Sequence, residues 1–129
     1  MRAYPQYRQI LADSAVVVLA WVCFGIGMLA FVALGLISVV SEVSVGFEFV
    51  GIAFGCFFFF AILHLFTALL HRCPNCSKHP TIQGLRPVHE NARKDGGVDG
   101  WGRVVWDVVR NKPFTCIHCG DEYVARGAV

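Results

Sequence analysis

His64-Leu65-Phe66-Thr67-Ala68-Leu69-Leu70-His71-Arg72-Cys73-Pro74-Asn75-Cys76 is the stretch on which the fold turns, because a long apolar run ends at Leu70 and a cysteine pair follows almost at once. A matching pair, Cys116-Ile117-His118-Cys119, lies further along the chain. Each Cys-x-x-Cys brings two sulfurs to one point through a tight turn, and two such turns supply the tetrahedral thiolate set that zinc prefers. The sequence therefore predicts a four-thiolate metal site, Cys73, Cys76, Cys116 and Cys119, directly beside a membrane surface.

Toward the N-terminus the composition supports that placement. The chain has 129 residues, enough for one small domain, yet 56% are hydrophobic and only 16% charged, and the mean hydropathy is +0.58. These values are wrong for a soluble domain. The excess lies before residue 71, where residues 14–40 and 49–70 each run without a charged side chain. Both exceed the span of about 18 residues that marks a transmembrane helix. At the helical rise the first run is about 40 Å long, against a hydrocarbon core of roughly 30 Å, so it tilts or extends into the headgroups. Residues 41–48 carry Glu42, Gly46 and Glu48 but no lysine or arginine, and read as a short extracytoplasmic hairpin loop.

Basic residues orient the hairpin. Arg2 and Arg8 precede the first span and Arg72, Lys78 and Arg86 follow the second, which places both termini in the cytoplasm. A reducing compartment also suits four thiols reserved for metal. A cleaved signal peptide is the competing reading of Arg2, Arg8 and the apolar core, but that core is too long for it. Residues 1–13 then form a cytoplasmic arm, with Tyr4, Pro5 and Tyr7 suited to an interfacial lead-in.

Residues 71–126 make the cysteine-bearing domain, with 127–129 as a tail. The insert from Ser77 to Thr115 exceeds the roughly 15 to 20 residues common between two such cysteine pairs. Within it, residues 94–100 read as a flexible loop, and Asp99 is placed to cap a helix from Gly100 to Arg110. Trp101, Val104, Val105 and Val108 fall on one face of that helix; Arg103, Asp107 and Arg110 fall on another, at ion-pair spacing. Asn111, Lys112 and Pro113 are stop signals. The valines and tryptophans also favour a strand, which is the alternative for this segment. The helix has two homes open to it: against the metal core, or along the bilayer with Trp101 and Trp106 at headgroup level.

The tetracysteine pattern resembles the zinc-ribbon class of metal-binding modules, most closely at Phe114-Thr115-Cys116-Ile117-His118-Cys119-Gly120. The glycine after the second cysteine permits the left-handed turn that aims backbone amides at sulfur. At Cys73-Pro74-Asn75-Cys76-Ser77 a serine stands in its place. The resemblance covers about a dozen residues and implies one structural Zn2+ bound by all four cysteines, with Lys78 or Lys112 offsetting the charge. Such a site has no vacant position and does not activate water. His79, His89 and His118 are substitute ligands that a complete cysteine set does not need. Gly120-Asp121-Glu122-Tyr123 after the last cysteine also looks like a rubredoxin knuckle, so iron is the rival metal and electron transfer the rival role. Redox-active cysteine pairs are less well supported, since no thioredoxin-like pattern surrounds them.

Several residues of the apolar runs carry expectations of their own. Gly51 and Gly55 form a small-xxx-small pair suited to helix packing. Phe57 to Phe60 are expected to face lipid and the partner helix together. His64 lies about 9 Å inside the cytoplasmic end, with Thr67 and His71 on its stripe, and an ionisable group at that depth is a functional candidate. Cys23 lies at a comparable depth, whereas Cys56 lies near the opposite face; both read as small apolar residues.

The net charge of +2, with nine basic and six acidic residues after residue 70, argues against a nucleic-acid partner. There is no activated serine, open metal site or phosphate-cradling glycine loop, so no enzyme is expected. The expected fold is a two-transmembrane-helix hairpin followed by a small zinc-ribbon-like cytoplasmic domain with an inserted amphipathic helix. The expected role is docking of another membrane or cytoplasmic protein, or accessory membership of a larger membrane assembly, with homo-oligomerisation left open. Short loops point to a bacterial inner membrane.

Overall fold

The computed structural model describes residues 1–41, 46, 48–93 and 100–124. They fall into two compact units, one formed by Met1–Ala15 with His64–Val129 and the other by Val16–Leu63. Two helices, α1 (Tyr7–Ser41, 35 residues) and α2 (Glu48–Ala68, 21 residues), are long and apolar enough to cross a membrane. Neither contains a proline, so nothing interrupts their hydrogen-bond ladders. Glu42 lies outside the described residues, and Glu48 opens α2.

In the Val16–Leu63 unit few side chains are buried, chiefly Val17, Ala20, Val50 and Ala53, and α1 meets α2 where Phe24 packs on Phe54 and Phe57. A Cβ built on Gly27 would lie 3.3 Å from the Ala53 methyl, so this glycine permits the close approach. A Cβ on Gly51 or Gly55 meets nothing within 4 Å. The packing role expected of that pair within the hairpin is therefore taken by Gly27, because Gly51 and Gly55 lie on an exposed face of α2. Phe57 packs on Phe24 with ring centroids 5.3 Å apart, while Phe58 and Phe59 point outward, as the four-phenylalanine run suggested.

The other unit is a small mixed module. Its sheet has the order β1-β3-β2, with β1 (Arg2–Ala3) parallel to β3 (Glu122–Val124) and β2 (Phe114–Thr115) antiparallel to it. Helix α3 (Trp101–Val109) packs on β2, burying Val104, Val105 and Val108. The helical reading of this segment holds, and Arg103 pairs with Asp107 at 3.0 Å one turn away. Its N-cap is Gly100 (φ 73°), with no side-chain cap; the cap assigned to Asp99 lies outside the described residues. At the other end Asn111 adopts φ 54°, and the N–H groups of Asn111 and Lys112 donate to the carbonyls of Val108 and Asp107. This is the left-handed stop that releases the last carbonyls of a helix from having no partner.

Residues before α1 join this module. Tyr4 is buried edge-on against Phe114 and Tyr123, with centroids 5.3 and 5.6 Å away, and its N–H donates to the Val124 carbonyl. Ile10, in the first turns of α1, is fully buried in the same core as Cys73 and Cys116. The helix begins at Tyr7, ahead of the expected start at residue 14, because these turns have a buried face to satisfy. Tyr4→Ala should lower the stability of the metal-loaded, full-length protein by about 3 kcal/mol or more. Denaturant titration in detergent, followed by metal release to a chromophoric chelator, measures this, and an unchanged midpoint would show that the arm lies outside the module.

Candidate metal centre

The two cysteine turns repeat one backbone pattern. In the first, Ser77 N–H donates to the Cys73 carbonyl and Cys73 N–H to the Lys78 carbonyl, both at 2.8 Å. In the second, Gly120 N–H donates to the Cys116 carbonyl at 2.9 Å and Cys116 N–H to the Asp121 carbonyl at 2.8 Å. Both turns need a left-handed residue after the second cysteine, and both have one: Ser77 at φ 57° and Gly120 at φ 75°. Ser77 takes the conformation without a glycine. Gly120 has a second constraint, since the His89 imidazole occupies the space its Cβ would need.

These turns bring the four sulfurs together, all within 4.8 Å of one another. Cys73 Sγ lies 3.7 Å from Cys119 Sγ, and Cys76 Sγ lies 3.8 Å from Cys116 Sγ. Metal–sulfur bonds of about 2.3 Å in a tetrahedron require sulfur–sulfur edges of about 3.8 Å. All four are free cysteines, Cys73 and Cys116 are buried, and the spacing suits four bonds to one central ion. The donor set thus fits a closed metal site.

Surrounding groups tune the sulfurs. Burial pushes the Cys73 thiol up, but hydrogen bonds from the Tyr123 hydroxyl and the Cys76 and Asn75 amides outweigh it and bring the thiol down to about 7. The Tyr123 oxygen is 3.4 Å from Cys73 Sγ. Burial, then the hydrogen bond to Cys73, raise the Tyr123 phenol, which therefore keeps the proton it donates. Burial also pushes the Cys116 and Cys119 thiols up. Asn75 donates to Asp121 at 2.6 Å, which ties the first cysteine turn to the second.

The histidines are engaged with other partners. His118 Nε2 donates to the carbonyls of His79 and Ile82 at 3.1 and 3.0 Å, and His79 Nδ1 donates to the His71 carbonyl at 2.8 Å. His89 Nδ1 accepts from Asn91 N–H. Among the described residues, the cluster able to hold a metal consists of the four cysteines.

A second polar cluster centres on a residue that the sequence reading left in the N-terminal arm. Asp13 is fully buried on α1, and its carboxylate accepts from His64 Nδ1 at 2.8 Å, Thr67 Oγ1 at 2.6 Å and His71 Nε2 at 3.1 Å. The stripe of His64, Thr67 and His71 was visible in the sequence. Its acidic partner could have been inferred from Asp13 being the only carboxylate before Glu42. Trp101, for which both the metal core and the membrane interface were open, stacks on His64 with ring centroids 6.1 Å apart, whereas Trp106 is exposed beneath the Arg110 guanidinium at 5.5 Å.

Compared with known proteins, the chain matches no family model, no curated protein and no solved structure.

Two outcomes follow from this geometry. Metal binding needs thiolates, and burial disfavours the thiolate forms of Cys116 and Cys119, so binding releases protons. Apparent affinity in a chelator competition should rise steeply from pH 6 to pH 8; a flat profile would contradict thiolate ligation. Gly120→Ala should cost about 2 kcal/mol or more and weaken metal retention, because it combines a left-handed backbone with a clash on His89. Ser77→Ala should cost less than about 1 kcal/mol, and equal losses at both positions would contradict the asymmetry.

Proposed function

We propose that this protein is a membrane-anchored docking module, in which a structural zinc ion held by Cys73, Cys76, Cys116 and Cys119 fixes a small recognition surface at the cytoplasmic face of a bacterial inner membrane. The observation that carries the reading is four sulfurs at tetrahedral spacing in a module whose own strands are only two or three residues long. Elements this short do not hold a fold together unaided, so the ion acts as the main cross-link. A site with four protein ligands leaves no position for substrate, and we assign it no reaction.

Membrane insertion is supported by surface chemistry. Only 17% and 11% of the most apolar windows of α1 and α2 are buried, which is unlike the core helices of a soluble protein. Leu29 and Leu36 are 74% and 63% exposed, and an apolar surface of this extent calls for lipid. Arg2 before α1, Arg8 in its first turn and Arg72, Lys78 and Arg86 after α2, with no basic residue between Ser41 and Glu48, support cytoplasmic termini.

For docking, the exposed edge of α3 offers the chemistry of an interaction hot spot. Trp106 and Val109 are exposed, and Arg110 lies over the indole. Zinc, rather than iron, completes the reading, and colourless purified protein is the expected result. Cross-linking and affinity isolation of full-length protein from its own membranes should recover one stoichiometric partner. Trp106→Ala should lose that partner while keeping its metal, and Cys73→Ser with Cys116→Ser should lose both. A partner retained by the double cysteine variant would mean that the helices alone are needed, and red protein with charge-transfer bands would replace docking by electron transfer.

A further inference from the structure

We propose that the cleft lined by Arg72, Lys78, His79 and His118 is a binding site for the headgroup phosphate of an anionic phospholipid. The cleft has a volume of about 320 Å³ and no carboxylate in its lining. Arg72 and Lys78 make no ion pair among the described residues, in contrast to Arg103, which Asp107 neutralises. Arg72 and Lys78 line one concavity that holds no carboxylate, and a phosphate there gains charge-assisted hydrogen bonds from both.

The walls are already fixed. Arg72 N–H donates to Gln6 Oε1 at 2.7 Å, and the Lys78 carbonyl accepts from Cys73 N–H at 2.8 Å, so both cations spring from anchored backbone. His79 and His118 are held by carbonyl groups through one ring nitrogen each. A phosphate entering the cleft orders only the ends of two long side chains, which limits the entropy lost on binding.

The source of the phosphate follows from the residues just before Arg72. Leu69 and Leu70, in the turn that follows α2, are 58% and 63% exposed. A lipid places its acyl chains against these leucines and its phosphate at Arg72, whereas free phosphate gains nothing from them. Basic pockets at the cytoplasmic end of a membrane helix suit anionic headgroups for the same reason. This inference rests on the reading that α2 lies in a bilayer.

The test uses full-length, metal-loaded protein in zwitterionic micelles, titrated with dihexanoylphosphatidylglycerol and followed by the Arg72 side-chain N–H signal in NMR. The expected result is a saturable shift, with dihexanoylphosphatidylcholine and inorganic phosphate at least about tenfold weaker. R72Q/K78Q should bind at least about tenfold more weakly than the natural chain, and R86Q/R93Q, which removes the same charge elsewhere, within about twofold of it. Equal binding of the two lipids, an unmoved Arg72 signal, or an undiminished R72Q/K78Q would overturn the site. Inorganic phosphate binding as tightly as the lipid would overturn the lipid assignment. Because both residues flank a cysteine turn, metal content is measured alongside; if R72Q/K78Q loses metal, the Arg72 signal of the natural chain decides. Protein that leaves membranes without detergent would defeat the bilayer reading, whereas protein that stays in membranes yet ignores the lipid would defeat this inference alone.

Discussion

Four sulfurs within 4.8 Å of one another set the terms for everything around them. Without a metal, such a group is four thiols crowded into a partly buried site, or thiolates that repel one another. With a metal, it is a cross-link between cysteine pairs 40 to 46 positions apart in the chain. Cys73 and Cys116 belong to the same buried cluster as Tyr4, Val108, Phe114 and Tyr123, so the ligands are also core residues. The site and the core cannot form separately, and a module of this size has little else to stabilise it.

Histidine contacts extend that constraint outward from the sulfurs. His118, inside the second cysteine turn, donates to the carbonyls of His79 and Ile82; His79 donates to His71; and His71 donates to Asp13 on α1. Each link satisfies a polar group that burial would otherwise leave at a cost. The Asp13 carboxylate collects α1, α2 and the segment after it at one point, through His64, Thr67 and His71. The position of the cysteine turns is thereby linked to the first turns of α1 by hydrogen bonds within a single compact unit.

Much of this was legible in the sequence, and the rest was hidden for identifiable reasons. The cysteine set, both apolar helices and α3 follow from local spacing and periodicity, which reports contacts within a helix or a turn. The end of α3 ahead of Asn111 to Pro113 follows from the same kind of signal, whereas the left-handed backbone at Asn111 is seen only in the structure. Contacts between segments far apart in the chain leave no periodic trace. Tyr4 looked like an interfacial residue because its partners, Phe114 and Tyr123, lie at the other end of the chain. Gly51 and Gly55 matched a packing spacing, but spacing does not say which face of α2 meets α1, and the close contact falls at Gly27. Asp13 stood at the edge of a run that was delimited by charge, so it was read as a boundary when it is an anchor.

X-ray absorption at the metal edge of purified full-length protein, combined with elemental analysis, tests the central claim most directly. The account predicts one metal ion per chain, surrounded by four sulfur atoms at about 2.3 Å, with no nitrogen or oxygen in the coordination shell. A shell containing nitrogen or oxygen, or a folded protein that holds no metal at all, would contradict it.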